Sequence, residues 1–312
     1  MTAYPDYYPA FRCTAADCRH SCCKGWEIDI DEATLGRYLS EDGELGSRLK
    51  NAISDDGDPH FILGKDERCP FLNRDNLCDL ILEKGDDYLC QICTDHPRFR
   101  NFLPGYTEIG LGLCCEAAGR LILSRKDCVS LVLTGEETDL DAADAALLEF
   151  RNYLLSIAQN RQLTLEARMD ALMAECGISI PELSYPRLAA YLAHLERFDS
   201  EWDGALRLLG QELPETDKEA FRLQMQERDE EYEQLLVYFL YRHVLSSAED
   251  RDVPGRVAFA VLSTKILEQL GALHFWSYGS YTLDDQISYA RMYSAEIEYS
   301  DENLSRMLEL LT

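Results

Sequence analysis

Eleven of the twelve cysteines in this 312-residue chain lie before residue 129, and only Cys176 stands beyond them. Nothing else in the sequence constrains the fold as tightly, because crowded thiols must be oxidised to disulfides, bound to metal or buried. The opening stretch MTAYPDYYPAF lacks the basic and apolar regions of a secretory signal. No apolar run reaches the roughly 18 residues that a membrane span needs. A cytoplasmic setting without a membrane partner is therefore expected, and thiols there are kept reduced. Reduced cysteines at this density point to a metal cage rather than a disulfide staple.

The spacing is Cys13-x4-Cys18-x3-Cys22-Cys23, then Cys69-Pro70, Cys78, Cys90-x2-Cys93 and Cys114-Cys115. A CxxC pair lets two thiolates reach one ion from a tight turn, and separated clusters close a tetrahedral site. Ligation by cysteine alone fits structural zinc or an iron–sulfur cluster of the 4Fe-4S type, and both readings stand. The Cys69-Pro70 step and the excess of clustered thiols tilt the balance toward iron. Cys128 and Cys176 read as ordinary buried cysteines. Other chemistries are set aside. The C-x3-C-x2-C signature of radical S-adenosylmethionine enzymes is broken: Cys18 and Cys22 supply the first gap, but Gly25 occupies the third position. Gly105 to Gly112 has the wrong spacing for a dinucleotide loop, and neither HExxH nor GxSxG occurs.

With 30 basic against 57 acidic residues, the formal net charge is −27. Such a surface repels phosphate backbones, so no nucleic-acid partner is expected. It suits a basic, lysine-presenting partner, or serves solubility alone. The cysteine distribution divides the chain into a Cys-rich, loop-rich, metal-organised region over 1–130 and an all-α helical domain over 131–312, mainly α in sum. Asn73 to Asn76 reads as a turn. Trp26 to Asp31 alternates like a short strand, and Asp31 is placed to cap a helix running to Leu39. Further helices are expected over 140–160, 164–176 with Gly177 as the stop, 216–246, 255–276, 283–299 and from Asp301. The 216–246 helix carries a stripe of Tyr232, Leu235, Leu236, Phe239, Leu240, His243 and Val244.

Five stretches, FRCTAADCRHSCCKGWEIDID (11–31), CPFLNRDNLCDL (69–80), YLCQICTDHPRF (88–99), YFLYRH (238–243) and YSAEIEYSDENL (293–304), carry a resemblance that runs through most of the chain. Together they resemble the bacterial flagellin lysine-N-methylases, grouped with the CxxCxxCC zinc- or iron-chelating proteins. The resemblance implies methyl transfer from S-adenosylmethionine to surface lysines of flagellin. It also implies metal cages built from Cys13, Cys18, Cys22, Cys23, Cys69, Cys78, Cys90, Cys93 and Cys115. Nine thiols exceed one four-thiolate site and suffice for two. At Cys114-Cys115 the family leads one to expect Ser-Cys-Pro, so Cys114 is extra and Glu116 stands in place of the proline.

Four residues are candidates for binding the methyl donor or substrate: Arg98, Arg242, Glu296 and Asn303. Arg98, just after the CxxC, is suited to hold a carboxylate or to donate to cluster sulfurs. Arg242 beside an apolar stripe needs a carboxylate from Glu296, Glu298 or Asp301, which is a structural reading. The functional reading makes Arg242, Glu296 and Asn303 part of a pocket. Trp26 is expected to pack in the core, the functional readings being that it shields the thiols or faces a cationic sulfonium, and His96 is a further ligand candidate. No residue stands out as a base. The function expected is a protein-lysine N-methyltransferase; the alternatives are a non-catalytic zinc- or iron-binding module and a redox protein.

Overall fold

The alternating run from Trp26 to Asp31 lies extended, with Ile28 and Ile30 buried and Glu27 and Asp29 exposed. Among the described residues it pairs only through an isolated bridge from Asp29 to His60, and no ladder grows from it. The structure, a computed structural model, describes residues 1–54, 57–136, 139–180 and 184–311. It places this run in a unit spanning Arg12–Arg98. Helix α1 (Glu32–Ser40) starts where expected: Asp31 Oδ1 accepts from the Thr34 amide at 2.9 Å, satisfying an orphan donor of the first turn. Helices α2 (Gly43–Ala52), α3 (Asp79–Lys84) and α4 (Gln91–Asp95) complete the unit's α structure. Between them Asn73 forms the expected turn, its Oδ1 accepting from the Asp75 and Leu77 amides at 3.0 Å. The core is Ile28, Ile30, Tyr38, Leu49, Phe61, Phe71 and Leu80, with Phe61 lying 5.1 Å from Phe71 between ring centroids.

The second unit is Met1–Phe11 with Phe99–Thr312. Strands β1 (Thr2–Pro5), β2 (Arg98–Leu103), β3 (Tyr106–Leu111) and β4 (Leu131–Thr134) form one sheet in the order β2-β3-β1-β4, β1 running parallel to β3 and antiparallel to β4. This division differs from the expected boundary at 130. Leu103, Tyr106, Leu111, Leu113 and Ile122 sit in the larger unit's core, so residues 99–130 belong with the helices that follow. The sheet also means that the region from 131 is not all-α. Gly110 and Gly112, unexplained by any nucleotide loop, have a packing role. A Cβ at Gly110 would lie 2.2 Å from the Phe99 ring, and one at Gly112 would lie 2.1 Å from the Tyr299 hydroxyl.

The remaining helices are α5 (Glu116–Leu123), α6 (Ala142–Ala158), α7 (Leu165–Glu175), α8 (Tyr185–Leu192), α9 (Trp202–Leu209), α10 (Glu215–Met225), α11 (Glu230–His243), α12 (Ser247–Asp250), α13 (Val253–Tyr278), α14 (Leu283–Tyr293) and α15 (Asp301–Glu309). Thr164 caps α7, and Gly177 beyond it has φ +65, as the stop signal required. Two expected helices are broken. The 216–246 stretch kinks between α10 and α11. The first presents only Phe221 and Met225 to the core, whereas the second is buried all round from Glu231 to His243. One straight helix cannot do both. The 283–299 stretch ends its α-helix at Tyr293, and Ser294–Glu298 form a wider π-turn of five buried residues. No helix among the described residues is long and apolar enough to cross a membrane.

Helix α6 reaches the sheet through a fully buried ion pair. Arg151 Nη1 donates to Glu108 Oε2 at 2.9 Å, Nη2 pairs with Oε1, and both side chains are at 0% exposure. Tyr106 donates to the same carboxylate at 2.8 Å. Removing one partner strands the other charge in the core, at a cost of about 3–5 kcal/mol. Arg151→Met is therefore expected to lower the denaturant midpoint strongly, and Glu108→Leu with Arg151→Met together much less, as chemical denaturation would read.

Candidate functional site

Two places concentrate reactive side chains, one in each unit. In the Arg12–Arg98 unit, Cys69 and Cys90 are buried in the core and Cys23, Cys78 and Cys93 pack against it. Backbone structure converges them. The Cys69 amide donates to the Cys23 carbonyl at 2.9 Å, Cys78 bridges to Leu72 and precedes α3, and Cys90 precedes α4. Burial pushes the Cys69 thiol up to about 12. Burial also raises Cys78. A hydrogen bond from Cys22 pulls Cys23 down to about 7. Within the CxxC, Cys90 is lowered and Cys93 raised by the hydrogen bond between them, one thiolate solvated by the other's S–H. No disulfide joins any of the twelve cysteines, all of which lie among the described residues.

The donor set fits a thiophilic ion: six thiols on the segments around 22–23, 69, 78 and 90–93 face one another electrostatically. No three sulfurs lie within 4.8 Å of one another among the described residues. Four thiolates around a tetrahedral zinc stand about 3.8 Å apart, so binding zinc would draw them inward. Cys13 and Cys18 are on the preceding loop, where the Cys13 sulfur accepts from the Ala15 amide at 3.4 Å. Cys115 lies in the other unit and precedes α5. Its neighbour Cys114 is buried against Tyr299, and burial pushes its thiol up to about 12. Cys128 is exposed and Cys176 half-buried, contrary to the expectation of two buried thiols. Trp26 meets the His96 ring edge-on at 6.5 Å, and burial pushes the His96 imidazole down to about 4.

Arg98 donates to the Thr94 carbonyl at 3.1 Å, closing α4. Arg242 takes its carboxylate from Glu298: Nε lies 3.3 Å from Oε1, and Nη2 donates to the Glu298 carbonyl at 3.3 Å. The guanidinium sits 5.0 Å from the Phe99 ring centroid and 4.6 Å from that of Tyr299. His243 Nε2 contacts the same Glu298 oxygen at 2.7 Å, and Tyr238 donates to the other at 2.9 Å. Glu296 and Asn303 do not join this cluster. Glu296 accepts the Phe198 and Asp199 amides at 3.2 and 2.6 Å, while Asn303 donates to the Glu196 carbonyl at 2.9 Å. Both clamp the loop ahead of α9.

The second site is a cavity of about 530 Å³ between α9, α13 and α14. Glu201, Arg207, His274, Tyr278, Asp285 and Tyr289 supply its functional groups. His274 Nδ1 lies 3.0 Å from the Tyr289 hydroxyl, and Nε2 lies 3.7 Å from Asp285 Oδ1. Its ring centroid is 4.5 Å from Tyr278 and 5.6 Å from Tyr281. Burial pulls its imidazole below the ordinary value, with Asp285 opposing. None of these residues was singled out from the sequence. The available signal was two i, i+4 pairs, His274/Tyr278 and Asp285/Tyr289, facing each other across a turn.

Acid should weaken the Glu298 cluster. Against burial, Arg242 and His243 pull the Glu298 carboxyl below its usual value. Burial lowers His243. The unfolded chain then binds protons that the folded one refuses, first at His243 below about pH 6.5 and then at Glu298 below about 4.3. Melting temperature is expected to fall as pH drops through that window, and His243→Gln should flatten its upper part.

Residues 172–312 match the family model of the FliB lysine N-methylase C-terminal domain. Over 141 residues the chain is 28% identical to a lysine-N-methylase of Salmonella choleraesuis, covering 41% of this chain and 33% of the relative. A lysine-N-methylase of Salmonella typhimurium matches at 27% with the same coverage. A flagellar biosynthetic protein FliU of Salmonella muenchen matches at 29%, covering 79% of its length. The match thus spans about a third of the length of the two lysine-N-methylases. No solved structure matches. The matched segment takes in the whole cavity and Arg242 to Glu298, and leaves the clustered thiols outside.

Proposed function

We propose that this chain, which belongs to the FliB lysine N-methylase family through its C-terminal domain, transfers methyl groups to the ε-amine of lysines on flagellin in the cytoplasm. The observation that carries the reading is the cavity inside the matched segment. Its volume falls in the range of small-molecule sites, roughly 300–1,000 Å³. Its aromatic faces and carboxylates suit a cationic head, whether ammonium or sulfonium. S-adenosylmethionine, when bound, supplies an activated methyl that an amine lone pair displaces from sulfur. The chain's own part is to align the amine, strip its water and receive its proton. The names of these relatives support lysine as the acceptor and a flagellar protein as its bearer.

The thiols of the Arg12–Arg98 unit would hold the metal, with Cys23, Cys69, Cys78, Cys90 and Cys93 as the inner set and Cys13, Cys18 and Cys22 on the loop beside it. Iron–sulfur is the leading choice and zinc the alternative. A bound metal contributes folding free energy directly, since ligating thiolates must be gathered and deprotonated.

Flagellin coexpressed with this protein should gain mass in steps of one CH2 per methyl, on lysines, by intact-protein and peptide mass spectrometry; unchanged flagellin from cells making the folded protein would refute the reading. Protein purified without oxygen should be brown, and Cys90→Ser with Cys93→Ser should bleach it and lower its melting temperature. A colourless preparation with stoichiometric zinc would leave a cage and discard the iron.

A further inference from the structure

A lysine amine attacks only after losing its proton, and in water it holds that proton up to about pH 10.4. The cavity carries a group placed to take it. We propose that His274 is the proton acceptor for the target lysine, with Tyr289 holding Nδ1 and Asp285 stabilising the imidazolium that forms; this rests on the cavity being the acceptor-lysine site. In the tautomer that donates from Nδ1–H to the Tyr289 hydroxyl, 3.0 Å away, Nε2 carries the lone pair on a residue that lines the cavity. The ammonium N–H bond breaks, its electron pair stays on the lysine nitrogen, and the proton forms the new N–H on Nε2. The imidazolium so made faces Asp285 Oδ1 at 3.7 Å.

The surroundings support that cycle. Three tyrosines face the ring: Tyr278 from its own helix, Tyr281 from the turn and Tyr289 from α14. Asp285 on α14 is the carboxylate nearest it, and Glu201, just ahead of α9, and Arg207 of α9 also line the cavity. Glu201 is partly neutralised by Arg291 at 3.1 Å. Asp285 is itself fixed by its cap, Oδ2 accepting from the Thr282 amide at 2.8 Å and its hydroxyl at 2.7 Å. Partial burial keeps His274 neutral near pH 7, the form that can accept.

The test is the pH profile of methyl transfer to purified flagellin. With His274 accepting, the wild-type rate should rise through the imidazole ionisation and level off above about pH 6.5. His274→Gln should lose ~100-fold at neutral pH and climb about tenfold per pH unit toward the lysine's own ionisation, with no plateau. Tyr289→Phe should keep the fold and lose rate in the same direction. A second readout needs no donor: n-butylamine added at neutral pH should shift the His274 ring resonances and move their midpoint to lower pH, because a bound cation opposes imidazolium. The proposal is overturned if His274→Gln, shown folded by its melting curve, keeps the wild-type profile, or if butylamine leaves the His274 resonances unmoved. Wild-type protein that does not methylate flagellin at any pH would instead refute the function itself, and the proton-acceptor role with it.

Discussion

The carboxylate of Glu298 is the point on which the larger unit is organised. It is buried at 5% exposure with Arg242 and His243 against it, and Tyr238 donates to its second oxygen. Desolvating such charges costs as much as their attraction returns, so the cluster is better understood as a device for register than as a source of stability. The cluster ties several segments together. Tyr238, Arg242 and His243 come from α11, the Leu113 amide donates to Tyr238 at 3.2 Å, and Asn101 of β2 donates to the Arg242 carbonyl at 3.0 Å. Shifting α11 by one residue would unpair all of them together.

The π-turn at Ser294–Glu298 is what lets one short segment serve two sites. Its wider turn buries Glu296 and Glu298 on separate partners. Glu298 faces α11, while Glu296 holds the amides of Phe198 and Asp199. With Asn303 of α15 bonded to the same loop, that clamp fixes the approach to α9 and hence the position of Glu201 on the cavity wall. Upstream, α14 carries Asp285 and Tyr289 into the same cavity. Glu296 and Asn303 thus shape the pocket from behind, without lining it.

What could be read from the sequence was what depends on local chemistry. Asp31, Thr164 and Gly177 announce their helix ends because caps need particular side chains or φ values. The pairing of Arg242 with the 296–301 stretch was legible because a buried guanidinium demands a carboxylate. The breaks at 226–229 and 294–298 were not, since a helical period persists through a kink or a π-turn and only the direction of burial changes. The cavity was hidden for a related reason. His274 and Tyr278 read as the ragged end of a long apolar helix until α14 folds back beside them.

The two units solve the problem of a core in different ways. In the larger one, α11 and α13 are buried over most of their length, so apolar area is ample and polar clusters can be spent on register. Among its described residues the Arg12–Arg98 unit has four short α-helices, isolated bridges in place of a sheet, and cysteines where a larger domain would place leucine or valine. A unit little above the roughly 70–80 residues below which staples are usual gains from one beyond its apolar contacts. Cys69 and Cys78 are thiols held protonated by burial, inert as a core but costly to ionise. A bound metal would reverse that sign, because it pays for the deprotonation that burial opposes. The same cysteines that make a weak hydrophobic core would then make a strong coordinated one.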